Sequence, residues 1–234
     1  MLVFIGALQK TTLADFPGKV ACIVFLVNCN FKCKFCYNKE LTSHKFFKKG
    51  KRELVDEKYF FDFLNAKKKM LDGVVVTGGE PTVTPGLLDF LRKIKALGFA
   101  LKLDTNGTNP QTLRKALEEK LLDYVAMDVK SPFLKYQEIT QSKVNPDKIK
   151  ESIYLLMSSS VPHEFRTTLY PKLTKEDLVE MATYIPHEKW FLQHFQSKNV
   201  LDPKSRRLKP MKNHEVKEII KSLDGKVDVH LRGD

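Results

Sequence analysis

The chain has 234 residues, of which 42% are hydrophobic and 29% charged, an ordinary globular balance that excludes wholesale disorder and suffices for one large domain. Forty basic residues against 28 acidic give a formal charge of +12. The lysines are scattered, with dense runs only at Lys48–Arg52 and Lys67–Lys69, as on a solvated face. The longest apolar stretch, Val20–Val27, is far shorter than the roughly 20 residues of a membrane span. Met1–Lys10 lacks the charged, apolar and small-residue segments of a signal peptide. A cytoplasmic protein with no membrane partner is expected.

Val20–Asn28 is apolar and β-branched and predicts a buried strand. A helix follows over Val55–Met70, with Val55, Tyr59, Phe60, Phe63 and Leu64 on one face. Gly73–Thr77 is a second strand. Thr84 then reads as a cap and Pro85 as the first helical position, before a stripe of Leu87, Leu91 and Ile94 that ends at Gly98. Phe99–Leu103 is a strand, and Asn109-Pro110 opens a helix through Leu113 and Leu117. Tyr124–Met127 is a strand, and Asn145-Pro146 opens a helix with Ile149, Ile153 and Leu156. His163–Leu169 is a strand, and Thr174 with Asp177 resembles a capping box before Leu178 and Met181. Trp190–Phe195 is a strand, Ser197–Pro210 a loop, Val216–Leu223 a helix and Val227–Leu231 a final strand.

Six strand–helix units and a seventh strand predict an α/β fold with one parallel sheet and helices outside. Right-handed crossovers would curl it into an arc, and six units are too few to close an eight-stranded barrel. An open, partial barrel follows, with its chemistry in the loops after the strands.

Those loops hold the unusual residues. After the first strand, Cys29, Cys33 and Cys36 stand at C-x3-C-x2-C in a chain with only four cysteines. Clustering of this kind indicates a metal or redox centre rather than a disulfide scaffold. A structural zinc site usually takes four ligands from two distant pairs, and no second pair exists. A zinc knuckle completed by a histidine stays open as an alternative. Cys22, in the apolar strand, reads as packing. After the second strand comes Thr77-Gly78-Gly79-Glu80-Pro81, with two glycines that allow close backbone approach and a carboxylate that could meet an ammonium group. The later loops hold Asp104-Thr105-Asn106-Gly107 and Asp128-Val129-Lys130, which alone could be a turn and a surface ion pair. Arg166, His194 and Arg232 sit on strands, where each could face solvent, core or ligand.

The cysteine motif, with aromatic Phe35 before its third cysteine, resembles the cluster motif of radical S-adenosylmethionine enzymes. Gly78-Gly79-Glu80-Pro81 resembles that family's second motif. The resemblance implies an open partial (β/α)6 barrel with a short N-terminal extension and a C-terminal helix–strand, forming one domain over residues 1–234. It implies that Cys29, Cys33 and Cys36 hold a [4Fe–4S] cluster whose open iron chelates S-adenosylmethionine. Phe35 would then contact the adenine, and Gly78, Gly79 and Glu80 the methionine amino group. Asp104, Thr105, Asn106, Asp128 and Lys130 resemble segments of glycyl-radical-enzyme activating proteins that surround the methionine carboxylate, the ribose and a monovalent cation. Arg166 and His194 would face the same site.

With Ile5-Gly6, Gln9–Leu13 and Asp15–Lys19, these segments are most similar to activating proteins of anaerobic ribonucleoside-triphosphate reductase, over nearly the whole chain. Tyr37 departs from that pattern, in which histidine commonly follows the third cysteine. The resemblance implies reductive cleavage of S-adenosylmethionine, an electron donor such as a flavodoxin or ferredoxin, and a glycyl radical made on a partner enzyme. Two alternatives stand beside it. One is another small radical enzyme acting on a peptide or small molecule. The other is a non-enzymatic metal- or nucleic-acid-binding module, although a nucleic-acid partner is not expected from scattered charge.

Overall fold

The computed structural model describes residues 3–47 and 53–232, so the Lys48–Arg52 run lies outside the described residues. The predicted strands form as β2 (Ala21–Leu26), β3 (Gly73–Gly78), β4 (Ala100–Thr105), β5 (Tyr124–Asp128), β6 (His163–Leu169), β7 (Lys189–His194) and β8 (Asp228–Arg232). All seven are parallel and lie side by side in chain order. An eighth strand, β1 (Ile5–Thr12), pairs antiparallel with β2. The N-terminal extension is therefore an edge strand. Only its end residues, Ile5 and Thr12, are buried, so it lacks the apolar alternation that marks a strand.

The connecting helices are α1 (Glu57–Ala66), α2 (Leu87–Ala96), α3 (Pro110–Glu118), α4 (Tyr136–Thr140), α5 (Pro146–Met157), α6 (Lys175–Ala182) and α7 (Asn213–Leu223). Their starts follow the local chemistry. Asn109 and Asn145 accept hydrogen bonds from Thr112 N (3.3 Å) and Asp147 N (3.0 Å), and Thr174 with Asp177 closes a capping box. Thr84 and Pro85 do not start α2. Thr84-Pro85-Gly86-Leu87 is a turn, closed by Leu87 N on Thr84 O at 3.2 Å, with Gly86 at φ 84° and ψ 4°. Proline followed by glycine suits the two middle positions of a type II turn, and the helix begins after it. The short helix α4 spans too few residues to show a helical period in the sequence.

Successive side chains of a strand point to opposite faces, and the two faces of this sheet differ. Val74, Val76, Leu101, Leu103, Val125, Met127, Phe165 and Leu192 point outward and pack with Phe60, Leu64, Leu91, Ile94, Leu113, Ile153 and Leu178 of the helices. Cys22 belongs to this outer core and is fully buried. On the other face, Ala21, Ile23 and Val75 enclose Phe16, which comes from the β1–β2 connection. Gly73 makes room for that ring, since a Cβ there would lie 2.9 Å from it. Phe16 thus plugs the amino-terminal end of the arc. Nearer the carboxyl ends, the same face carries Lys102, Asp104, Asp128 and Arg166 instead of apolar groups.

Phe16 is 2% exposed, and among the described residues no other aromatic side chain of the small inner core is fully buried. Phe16→Ala should therefore cost about 3–5 kcal/mol of unfolding free energy, as for other buried aromatic truncations. Urea denaturation of the two proteins measures it, and a loss below ~1 kcal/mol would mean that the plug is dispensable.

Candidate active site

Every site candidate named from the sequence lines one cavity of about 420 Å³: Cys29, Cys33, Cys36, Phe35, Gly78, Gly79, Glu80, Asp104, Thr105, Asn106, Asp128, Lys130, Arg166 and His194. Arg232 lines it too. The residues come from the ends of β3, β4, β5, β6, β7 and β8 and from the loop after β2, so parallel strands in chain order bring together groups as far apart in sequence as Cys29 and Arg232. Sequence reading missed Phe31, Tyr37, Asn38, Thr168, Gln193 and Gln196 as lining residues. Strand alternation could have found Thr168, which is two positions beyond Arg166 on the same face of β6.

The cysteine loop is held on three sides. Asn28 N donates to Leu41 O at 2.8 Å, and Lys32 N to Thr140 O at 3.0 Å. From the Ser197–Pro210 segment, Leu201 N donates to Cys36 O and Asp202 N to Lys34 O, both at 3.0 Å. Gln196 N donates to the Tyr37 hydroxyl at 2.7 Å, so Tyr37 ties the loop to the end of β7. The Phe35 ring packs against Tyr170, tilted by 33° with centroids 5.0 Å apart, and the Lys130 ammonium lies 5.8 Å from the Phe35 centroid.

Gly78 and Gly79 are required by the neighbouring strand. A Cβ at Gly78 would meet Leu26 O at 2.3 Å, and one at Gly79 would meet Asn28 O at 2.0 Å. Backbone comes close to both glycines, and here Gly79 N donates to Leu26 O (2.9 Å) and Glu80 N to Asn28 O (2.8 Å). This contact fixes Glu80, which is 1% exposed. Its Oε1 accepts from Thr82 N (3.0 Å), the Thr82 hydroxyl (2.5 Å) and the Thr105 hydroxyl (2.6 Å), while Oε2 accepts from Asn106 N (2.6 Å). Burial pushes its carboxyl up, against those hydrogen bonds. A cation reaching Oε2, which has one donor against three, would favour the ionised form.

Opposite Glu80 runs an alternating chain of charges. Lys102 Nζ is 2.5 Å from Asp104 Oδ1, and Arg166 Nη1 is 3.0 Å from Asp104 Oδ2. Arg166 Nε is 2.9 Å from Asp128 Oδ1, and Lys130 Nζ is 3.1 Å from Asp128 Oδ2. Burial pushes the Asp128 carboxyl up, but Arg166 and Lys130 outweigh it and hold it at about 2. Asp104 is likewise below the ordinary carboxylate range, because Arg166 and Lys102 outweigh burial. Arg166 is therefore no snorkelling surface residue, and Asp128 with Lys130 is no isolated surface pair. Arg232 makes a bidentate pair with buried Glu164 at 2.9 and 3.0 Å.

The three motif cysteines are free thiols. Burial pushes Cys29 and Cys33 up to about 12 and raises Cys36, so loading a metal here must release protons. Among the described residues no three His, Cys, Asp or Glu side chains close on one ion position. Cys29, Cys33 and Cys36 border one cavity and are thiol donors of the kind an iron–sulfur cluster takes, each thiolate on a different iron. The donor set therefore fits an iron–sulfur cluster with three protein ligands.

The sequence profile of the Radical SAM superfamily matches residues 23–185, a span that contains most of β2, the cysteine loop, the glycine–glutamate loop and β3 to β6. The chain belongs to the radical SAM superfamily. It is 32% identical to a Methanocaldococcus jannaschii protein named as a glycyl-radical enzyme activating enzyme, over 97% of this chain and 95% of that one. It is 29% identical to the pyruvate formate-lyase-activating enzyme of Streptococcus mutans, over 73% of this chain and 67% of that one. In fold it is similar to Streptococcus suis SuiB bound to precursor peptide SuiA, with a TM-score of 0.63 and 16% identity over 88% of this chain. The chain spans about half of SuiB, 47% of its length. This radical SAM fold and the strand-end cavity thus agree with the open partial barrel expected from sequence. No helix of the described residues is long and apolar enough to cross a membrane.

Asp104 and Asp128 have lowered carboxyl pKa values in the folded protein. The stability they contribute is complete above the unfolded carboxylate value of about 3.9 and is lost as pH falls below it, for Asp128 toward about 2. Arg166→Met should cost about 3–5 kcal/mol and shift acid unfolding, followed by circular dichroism, to higher pH. An unchanged acid midpoint would mean that Arg166 does not hold the two carboxylates.

Proposed function

We propose that this chain is a radical S-adenosylmethionine enzyme, one domain over residues 1–234, whose substrate is a polypeptide segment that enters the strand-end cavity. The observation that carries this reading is the convergence of the cysteine loop, the Glu80 loop and the Asp104–Arg166–Asp128 chain on one cavity. Cys29, Cys33 and Cys36 would hold a [4Fe–4S] cluster. When bound, the cluster and S-adenosylmethionine supply one-electron reduction and hydrogen abstraction.

The protein's part is binding and orientation. Glu80 Oε2, with a single donor from Asn106, takes the ammonium group of the cofactor. The backbone contacts of Gly78 and Gly79 hold that carboxylate beside the cysteine loop. Lys130 and Arg166 bring positive charge to the same cavity and suit a carboxylate. Phe35, backed by Tyr170, offers a flat apolar surface to a purine.

A polypeptide substrate is supported by the names of the relatives, since two are named as activating enzymes and SuiB has a structure with a precursor peptide. Within this reading, the attacked position is a backbone glycine of a partner enzyme, supported by the relative that covers nearly the whole chain. A second reading, modification of a released precursor peptide, is supported by the likeness to SuiB. None of these three relatives is named for the reductase, so the proposed partner is a glycyl-radical enzyme in general. An electron donor of the flavodoxin or ferredoxin type completes the proposed reaction.

The test is anaerobic. The protein is reconstituted with iron and sulfide, reduced, and given S-adenosylmethionine with a peptide bearing α-deuterated glycine. We expect 5′-deoxyadenosine that carries deuterium, formed only when Cys29, Cys33 and Cys36 are all present. Unlabelled 5′-deoxyadenosine with every labelled peptide tried would point to a non-peptide substrate. Glu80→Gln should keep the cluster spectrum and weaken S-adenosylmethionine binding by about 1.5–3 kcal/mol, roughly ten- to a hundredfold. Unchanged affinity in calorimetry would remove Glu80 from the ammonium site.

A further inference from the structure

Lys102 does not border the cavity, yet it touches a residue that does. It stands on β4 two residues before Asp104 and on the same strand face, and it is 2% exposed. Its ammonium lies 2.5 Å from Asp104 Oδ1 and 5.9 Å from the centroid of the Tyr124 ring. A lysine in that position is expensive to bury unless its charge is matched. Asp104 supplies the match.

The family resemblance implies a monovalent cation at the Asp104 and Asp128 segments. A dissolved cation is held by carboxylate oxygens where negative charge is in excess. Here all four carboxylate oxygens already accept from side-chain cations: Lys102 and Arg166 at Asp104, Arg166 and Lys130 at Asp128. Counting also the buried Glu164, which acts on Arg166, and its partner Arg232, four cations face three carboxylates, so the local balance is positive. A further cation would enter against that charge, and the residues present do not fit one.

We propose that the Lys102 ammonium is a built-in counter-ion at Asp104, standing where a dissolved cation would otherwise be needed, so that cofactor binding by this chain requires no alkali metal ion. Lys102 is then a positioning residue. It holds Asp104 toward Arg166, and through Arg166 it holds Asp128 and Lys130 at the cavity wall. This inference rests on the reading of the cavity as an S-adenosylmethionine site.

The test uses the reconstituted protein at constant ionic strength in potassium, sodium or choline chloride, with S-adenosylmethionine affinity measured by calorimetry. The wild type should bind equally, within about twofold, in all three salts. A weakening of about tenfold or more in choline, restored by potassium or sodium, would overturn the proposal. Lys102→Met should acquire that dependence, with affinity lost in choline and regained on adding potassium or sodium. A merely structural loss would not be rescued by a salt, and a Lys102→Met protein that binds equally in all three salts would also count against the proposal. If Lys102→Met does not fold, the wild-type comparison decides alone. Sodium-23 relaxation, recorded without S-adenosylmethionine, gives a separate readout. The wild type should show no saturable broadening that potassium competes away, and such broadening would overturn the proposal. Absence of S-adenosylmethionine binding in every salt would refute the proposed function, while the sodium measurement would still decide the role of Lys102.

Discussion

Buried charge inside the sheet's concave face has to be matched residue by residue, and this requirement organises the site. Lys102, Asp104, Arg166, Asp128 and Lys130 form one alternating sequence of ion pairs across β4, β5 and β6. Removing water from any one of them is tolerable only because the next is within hydrogen-bond reach. Strand register provides the spacing. Asp128 is paired with Arg166 across β5 and β6, and Asp104 with Ala126 across β4 and β5. A shift of one residue in any of these strands would turn a charge into the outer apolar core. The ion chain and the hydrophobic outer face therefore enforce the same register from opposite sides.

The other half of the cavity is built from backbone. The end of β3 lies so close to β2 and the cysteine loop that no side chain fits at Gly78 or Gly79. Past the end of β3, Gly79 and Glu80 go on donating to Leu26 O and Asn28 O, and Glu80 is delivered beside the cysteines with both oxygens already oriented by Thr82, Thr105 and Asn106. A carboxylate fixed in this way loses little freedom on meeting a ligand, which is the advantage of a preformed site. The cysteine loop has no regular structure of its own through the motif. It takes its shape from Leu41, Thr140 and the Leu201–Asp202 segment, so the loop between β7 and α7 is part of the site's scaffold although it is far away in sequence.

Several features could be read directly from the residues because they depend on neighbours in the chain. The apolar runs became β2 to β8, Asn109, Asn145 and Thr174 start helices as expected, and the cysteine and glycine–glutamate loops follow the strands that precede them. Other features were hidden for physical reasons. β1 is an edge strand buried only at its two ends, so it has no buried stripe to detect. Thr84 and Pro85 have the chemistry of a helix start, but Gly86 at positive φ gives the turn priority. Tyr37 and Gln196 meet only when the ends of two distant segments are packed together.

The sequence by itself determined the class of fold, the order of its strands and the three loops in which cysteine, glycine–glutamate and Asp–Thr–Asn chemistry resides. These are set by short-range pattern: β-branched runs, caps and residues placed just after strands. Only the tertiary structure decided that Lys102 and Arg166 are buried partners of Asp104 and not solvated surface charges, and that Gly78 and Gly79 pack against the backbone of β2 and the cysteine loop. Whether a lysine on a strand is in water or paired depends on what other segments cover it. That cover includes the Tyr124 ring of β5 and the flanking strands β3 and β5, which no local pattern around Lys102 encodes.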